Sequence, residues 1–226
     1  MSDMHIPALL QFLEGLAENN NRPWFLHNKP SYDILREEFA ELLADIVQRV
    51  AKFDKDIEQV DPKKCMFRIY RDVRFSKNKD PYKTHFSGVI GGRTTDKSRP
   101  SYYFQINEKG VLGVGGGIYM PEPEALQKIR HFIIGEPKLL DALLKNKGLI
   151  KTFGGLSEED RMQRPPKGYQ HLPADHPHIE VIKNRHFFAF VEASLKKKLS
   201  KDLAKTIGDE FEDLYPLIVW LREAVR

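Results

Sequence analysis

Two strand-like runs near the middle of the chain, residues 102–107 and 111–119, are separated only by Glu108-Lys109-Gly110. A glycine-containing loop this short returns the chain antiparallel, because a parallel return needs a crossover of a dozen or more residues. Residues 86–91 read as a further strand before this hairpin, and residues 66–73 as another. Residues 186–191 add a late one, so the sequence predicts a mainly antiparallel sheet of four to five strands.

Helical periodicity surrounds that sheet. Residues 6–20 carry Ile6, Leu9, Leu10, Leu13, Leu16 and Ala17 on one stripe, and Asn19-Asn20-Asn21 with Arg22-Pro23 ends the pattern. Trp24 and Phe25 then sit on a short connection. A longer helix is expected from near Lys29 to about Phe53, with Leu35, Phe39, Leu42, Leu43, Ile46, Val47 and Val50 inward. Residues 123–134 and 136–146 form two more helices. Gly154-Gly155 opens a proline-rich surface loop, followed by a short helix near residues 178–183. A C-terminal helix from about Ser200 breaks or bends at Tyr215-Pro216, with Leu217, Ile218, Trp220 and Leu221 packing inward. With no repeat and no linker, the expectation is α+β: one domain over residues 1–226, an N-terminal helix pair and a C-terminal helix, and helices packed on the sheet.

Composition narrows the class. Hydrophobic residues at 41% and charged residues at 30% are a globular balance. No apolar run approaches the roughly 18 residues of a membrane span. The start, MSDMHIPALLQFLEGL, is acidic and amphipathic where a secretory signal is basic and then apolar. The single cysteine, Cys65, has no internal disulfide partner. The expectation is a cytoplasmic protein off the membrane, with its oligomeric state left open.

The formal charge of +4 hides an asymmetry. Between residues 63 and 105 lie eleven basic residues, among them Lys63, Lys64, Lys79, Arg93, Lys97 and Arg99, against Asp72, Asp80 and Asp96. That segment carries +8, leaving −4 for the rest. Read as a strand, residues 67–75 put Phe67, Ile69, Val73 and Phe75 on one face, with Arg71 interrupting them. Arg68, Tyr70, Asp72 and Arg74 take the other face. A guanidinium on an inward face requires a carboxylate, a set of carbonyls or a bound anion, so Arg71 is either a structural brace or an anion contact. The following Ser76-Lys77-Asn78-Lys79-Asp80-Pro81-Tyr82-Lys83-Thr84-His85 is rich in donors suited to phosphate or carboxylate, and equally suits a solvated loop. Arg68, Arg71, Arg74, Lys77 and Lys83 are therefore the candidate anion-binding residues.

Gly113, Gly115 and Gly117 would share one strand face. They mark the close approach of a packed element or of a ligand, with Tyr82 grouped beside them as a ligand-approach residue. The run lacks the final glycine of a dinucleotide fingerprint, since Ile118 stands there. His171, His176 and His178 have no recognised ligand spacing, so no metal and no cofactor is expected. Cys65 beside Lys64 reads as a buried strand thiol, and Lys196-Lys197-Lys198 with Lys201 as the wet face of a terminal helix.

The stretches FRIYRDVRFSKNKDPYKTHF, YYFQI with GGGIYMPEPEAL, RPPKGYQHLPADHP and NNRPWFLHNKPSYD resemble the domain of unknown function 2461 family, conserved hypothetical proteins with no established activity. The resemblance spans nearly the whole chain and implies a single full-length domain. It singles out Arg68, Arg71, Arg74, Lys77, Lys83 and His85, together with Asp175-His176-Pro177.

Three functions follow. The first is a binding module for an anionic ligand, nucleic acid or a phosphorylated small molecule, with Tyr70, Tyr82, Tyr102 and Tyr103 available for stacking. The second is an enzyme acting on a phosphorylated or carboxylated small molecule, with His85, Asp72 or His176 as acid–base candidates. The third is a protein–protein interaction domain that docks an acidic surface.

Overall fold

The computed structural model describes residues 4–92, 98–195 and 202–226. Lys196, Lys197, Lys198 and Lys201, and Arg93, Asp96 and Lys97 of the basic segment, lie outside the described residues. Three helices open the chain, α1 (Ile6–Glu18), α2 (Arg22–His27) and α3 (Lys29–Val50), before β1 (His85–Ile90), β2 (Ser101–Asn107) and β3 (Val111–Ile118). Then come α4 (Pro123–Gly135), α5 (Pro137–Leu144), α6 (Lys147–Phe153), α7 (Ile179–Ile182), β4 (Phe187–Ser194) and α8 (Leu203–Ala224). The strands form one antiparallel sheet in the order β1-β2-β3-β4, with helices packed on it, so the class is α+β. Among the described residues no helix is long and apolar enough to cross a membrane.

The chain divides into two compact units. The first comprises Met1–Ile90, Tyr103–Val114 and Glu192–Asp209; the second comprises Gly91–Tyr102, Gly115–Val191 and Glu210–Arg226. In the first unit all seven inward residues expected on α3 are buried. Phe39 stacks on Phe104 at 5.3 Å and meets Phe86 edge-on at 5.4 Å, which joins α3 to β1 and β2. On α1 the buried stripe is Ile6, Leu9, Phe12, Leu13 and Leu16, while Ala17 is exposed.

In the second unit Tyr102 packs on Phe211 at 5.0 Å, and Trp220 meets Phe132 edge-on at 5.5 Å. Arg130 is buried. Its Nε donates to the Ile182 carbonyl at 2.9 Å and its Nη2 to the Asn184 carbonyl at 3.2 Å, so backbone carbonyls serve this buried guanidinium.

Several expectations are corrected. Trp24 and Phe25 lie in α2 rather than on a connection. Asn21 caps that helix by accepting from the Trp24 N–H at 3.0 Å, and Pro23 occupies its first turn, where a missing N–H is harmless. The helical pattern after Glu136 ends at Leu144, and α6 follows, capped by Asn146. Pro216 does not break the terminal helix; α8 continues through it, with Leu217, Ile218, Trp220 and Leu221 buried.

The largest correction concerns residues 66–73, which do not form a strand. They make two isolated antiparallel bridges, Met66 to Gly88 and Tyr70 to Tyr82. Met66 and Tyr70 are four positions apart, whereas Tyr82 and Gly88 are six positions apart. Two extra residues on one side form a bulge, which interrupts the ladder and leaves an irregular hairpin.

Candidate functional site

The candidate residues 68–85 belong to that hairpin, and backbone bonds hold it. The Lys83 N–H donates to the Ile69 carbonyl at 2.8 Å, and the Arg71 N–H to the Pro81 carbonyl at 2.9 Å. Asn20 locks the hairpin to the end of α1. Its side-chain amide donates to the Tyr82 carbonyl at 3.0 Å and accepts from the Tyr82 N–H at 3.0 Å, replacing a strand partner. The Tyr82 ring stacks on Phe25 at 4.2 Å, and Tyr70 lies over both, 5.4 Å from Tyr82 and 6.0 Å from Phe25.

Alternation survives without the strand. Cys65 and Ile69 are buried, Arg71 and Val73 are half-buried, and Arg68, Tyr70, Asp72 and Arg74 are exposed. Phe75 departs from the inward face expected for it and stands 95% exposed. Cys65 donates its thiol to the Asp61 carbonyl at 3.5 Å, and burial pushes that thiol up to about 11, which makes it an unreactive core residue at neutral pH.

Residues 72–80 form a loop tied by its own side chains. Arg71 donates from Nη1 to the Asp80 carbonyl at 3.1 Å and from Nη2 to the Ser76 hydroxyl at 3.4 Å. Of the partners open to Arg71, then, a carbonyl and a hydroxyl are present. Lys79 Nζ donates to the Val73 carbonyl at 3.0 Å, and the Asp80 N–H to the Asn78 side chain at 2.8 Å. Arg74 engages Asp72 with Nε at 3.0 Å and Nη2 at 2.7 Å, and these hydrogen bonds hold the Asp72 carboxyl down to about 2. The Arg74 guanidinium also lies 5.7 Å from the centre of the Phe75 ring.

The remaining cations differ in setting. Arg68 and Lys77 are exposed, and neither makes an ion pair or hydrogen bond among the described residues. Lys83 lies over the Phe67 ring at 4.7 Å, and burial, then the charge of Arg68, lowers its pKa. His85, at the start of β1, is held below the ordinary imidazole value chiefly by burial and then by Lys83. Arg99 falls in the second unit, whereas the basic residues from Lys63 to Lys83 belong to the first.

The other candidates sit elsewhere. Gly113 belongs to the first unit; Gly115 and Gly117 belong to the second. A Cβ on Gly115 would collide with the Ala189 carbonyl and the Phe190 ring, and one on Gly117 with the Phe187 carbonyl. Gly117 also has φ +123°, a conformation side chains disfavour. The close approach at both positions is by β4 itself. His176, also in the second unit, accepts the His178 N–H at 3.2 Å, and the buried His178 ring bonds Asp141 at 2.8 Å through Nε2. Among the described residues no group of three or more His, Cys, Asp or Glu side chains is placed to hold a metal. An open cavity of about 540 Å³ lies between α1, α2 and α3, lined by Phe12, Trp24, Leu35 and Glu38 among others, and it includes none of the predicted site residues.

Of the four tyrosines expected to stack, Tyr70 alone is exposed. Tyr82 and Tyr102 are buried, and Tyr103 is half-buried and bonded to Gln105. Sequence reasoning missed Asn20, read as part of a helix stop, and Phe75, assigned inward by strand alternation.

The protein is thus α+β, with a hairpin loop braced by its own side chains. The chain belongs to the family DUF2461, conserved hypothetical protein, whose family model matches residues 8–220. No curated protein and no solved structure matches the chain.

Proposed function

We propose that the protein is a binding module for an anionic ligand, a nucleic acid or a phosphorylated small molecule, recognised through the hairpin at residues 68–85. Arg68 and Lys77 make the primary contacts, Lys83 contributes from its place over Phe67, and Arg74 offers Nη1 beyond its pair with Asp72. Arg71 acts by holding the loop. The observation that carries this reading is the setting of Arg68 and Lys77: exposed, without ion-pair partners among the described residues, on a hairpin already tied by Arg71, Lys79 and Asn78. Cations on a loop ordered in advance lose less entropy when an anion arrives.

No observation favours the acid–base reading of this segment. Asp72 is occupied by Arg74. The proposal also takes the protein to be cytoplasmic, in keeping with a single buried thiol and no disulfide.

Calorimetric titration with sodium polyphosphate tests it. Binding is expected to weaken steeply between roughly 50 and 200 mM salt, with the salt slope reduced in the double variant Arg68→Ala, Lys77→Ala. No binding at low salt, or binding insensitive to salt, overturns the proposal.

A further inference from the structure

We infer that the ligand of the 68–85 hairpin is single-stranded nucleic acid, with Phe75 as a platform on which an unpaired base stacks. This rests on the anion-binding reading and narrows it. Phe75 is 95% exposed, next in sequence to the guanidinium that lies beside its ring. Its position is built: Asp72 grips Arg74, Arg71 ties Asp80 and Ser76, and Lys79 ties the Val73 carbonyl. A phenylalanine held outward on an ordered loop leaves nearly all of its apolar surface in water until a partner covers it.

Tyr70 supplies a second ring on the same hairpin. It is 51% exposed and backed by Tyr82 and Phe25, so its orientation is set by packing. In chain order the exposed residues run cation, ring, ion pair, ring, cation: Arg68, Tyr70, Asp72 with Arg74, Phe75, Lys77.

Charge complementarity and ring exposure choose the occupant. Phosphates of a single strand pair with the cations while its unpaired bases expose the π-faces that aromatic side chains stack on. A duplex keeps its bases stacked on one another, and an inorganic or sugar phosphate has no flat surface to offer Phe75. Stacking is also tolerant of sequence, so this site reads strandedness more than base identity.

The test is fluorescence anisotropy with a labelled oligothymidine of about ten nucleotides, within the range of single-strand site sizes. Competitors are a duplex of equal length, sodium polyphosphate and vesicles of phosphatidylserine with phosphatidylcholine. The expected result is preference for the single strand over duplex and polyphosphate. Phe75→Ala should weaken oligothymidine binding roughly 5- to 150-fold, the range for one lost stacked base. It should leave polyphosphate binding unchanged, and Phe75→Trp should restore oligothymidine affinity with quenching of the new indole. Because the Phe75 side chain is almost wholly exposed, these variants leave the fold intact.

Equal binding of oligothymidine and polyphosphate with no effect of Phe75→Ala overturns this inference and leaves anion binding standing. Absence of binding to either polyanion overturns both. Phe75-dependent binding to the vesicles without binding to oligothymidine also overturns it, in favour of a membrane surface.

Discussion

Asp72 holds the guanidinium of Arg74, two residues along the chain, in a two-pronged pair with Nε 3.0 Å from Oδ1 and Nη2 2.7 Å from Oδ2. The Arg74 backbone N–H adds a third bond to Oδ1 at 3.2 Å. Both side chains are exposed, so the pair adds little to global stability and its effect is local. It fixes where the Arg74 guanidinium sits and thereby what flanks Phe75. It also occupies both Asp72 oxygens and lowers the basicity of the carboxylate, which makes it a weak general base at neutral pH.

Titration of Asp72 checks this directly. Its carboxyl falls from an ordinary 3.8 to about 2 in the folded chain, mainly through the Arg74 side-chain bonds. A lowered folded value means that the stabilisation is complete above the unfolded value and is lost as the pH falls through about 2. Carbon-detected NMR of the Asp72 carboxyl should give a midpoint near that value, and Arg74→Ala should return it toward 3.8.

Arg71 separates loop order from overall stability. Its two bonds reach the Asp80 carbonyl and the Ser76 hydroxyl, both within the same loop. Arg71→Lys keeps the charge and loses the fork. The expected cost is about 1–2 kcal/mol, a fall of a few degrees in Tm for a chain of this size. Amide exchange in residues 72–80 should rise well beyond that in β1, as measured by mass spectrometry.

Much of the fold was legible because burial repeats locally. On α3 the seven expected inward positions recur at helical spacing, and all are buried. The 102–107 and 111–119 hairpin was legible from its three-residue loop. The irregular hairpin was legible only as alternation: Ile69 in, Arg68 and Tyr70 out. Its bulge depends on unequal chain lengths between two bridges, which periodicity does not encode. Asn20 was illegible for a related reason. Its partner, Tyr82, is 62 residues away, and an amide standing in for a strand leaves no local pattern. Phe75 was misassigned because the alternation, which holds through Arg74, was carried one residue further along a loop tied by its own side chains.

Gly117 distinguishes a steric from a ligand-facing glycine. Its φ of +123° and the Phe187 carbonyl together leave no room for a side chain. Gly117→Ala is expected to destabilise by about 3 kcal/mol or more, from backbone strain and overpacking combined. Thermal melting should show a Tm lower by roughly 6–12 °C. A glycine kept open for a ligand would instead tolerate alanine with an unchanged Tm.

His85 should make stability depend on pH near neutrality. Burial, then Lys83, holds its folded pKa below the ordinary 6.5. Between the two values the unfolded chain binds the proton and the folded chain does not, so stability rises with pH across that window. As the pH falls from above 6.5 to below the folded value, that stability is lost; below it the loss stops. Comparing Tm against pH for the wild type and His85→Gln isolates the effect. The wild type should lose Tm relative to the variant as the pH drops below 6.5.

The two tryptophans report on whether the chain unfolds as one domain. Trp24 lies in the first unit and Trp220 in the second. The chain passes between the units inside β2, β3, β4 and α8, so neither unit owns a complete sheet or a complete terminal helix. Elements divided in this way lose their hydrogen-bond ladders if one unit unfolds alone, which favours a single cooperative transition. We propose that residues 1–226 fold as one domain. Trp24→Phe leaves a probe in the second unit and Trp220→Phe one in the first. Urea titrations followed by fluorescence in the two variants should each coincide with that variant's own far-UV circular dichroism transition. A fluorescence transition displaced from the circular dichroism curve in either variant would show the units unfolding separately.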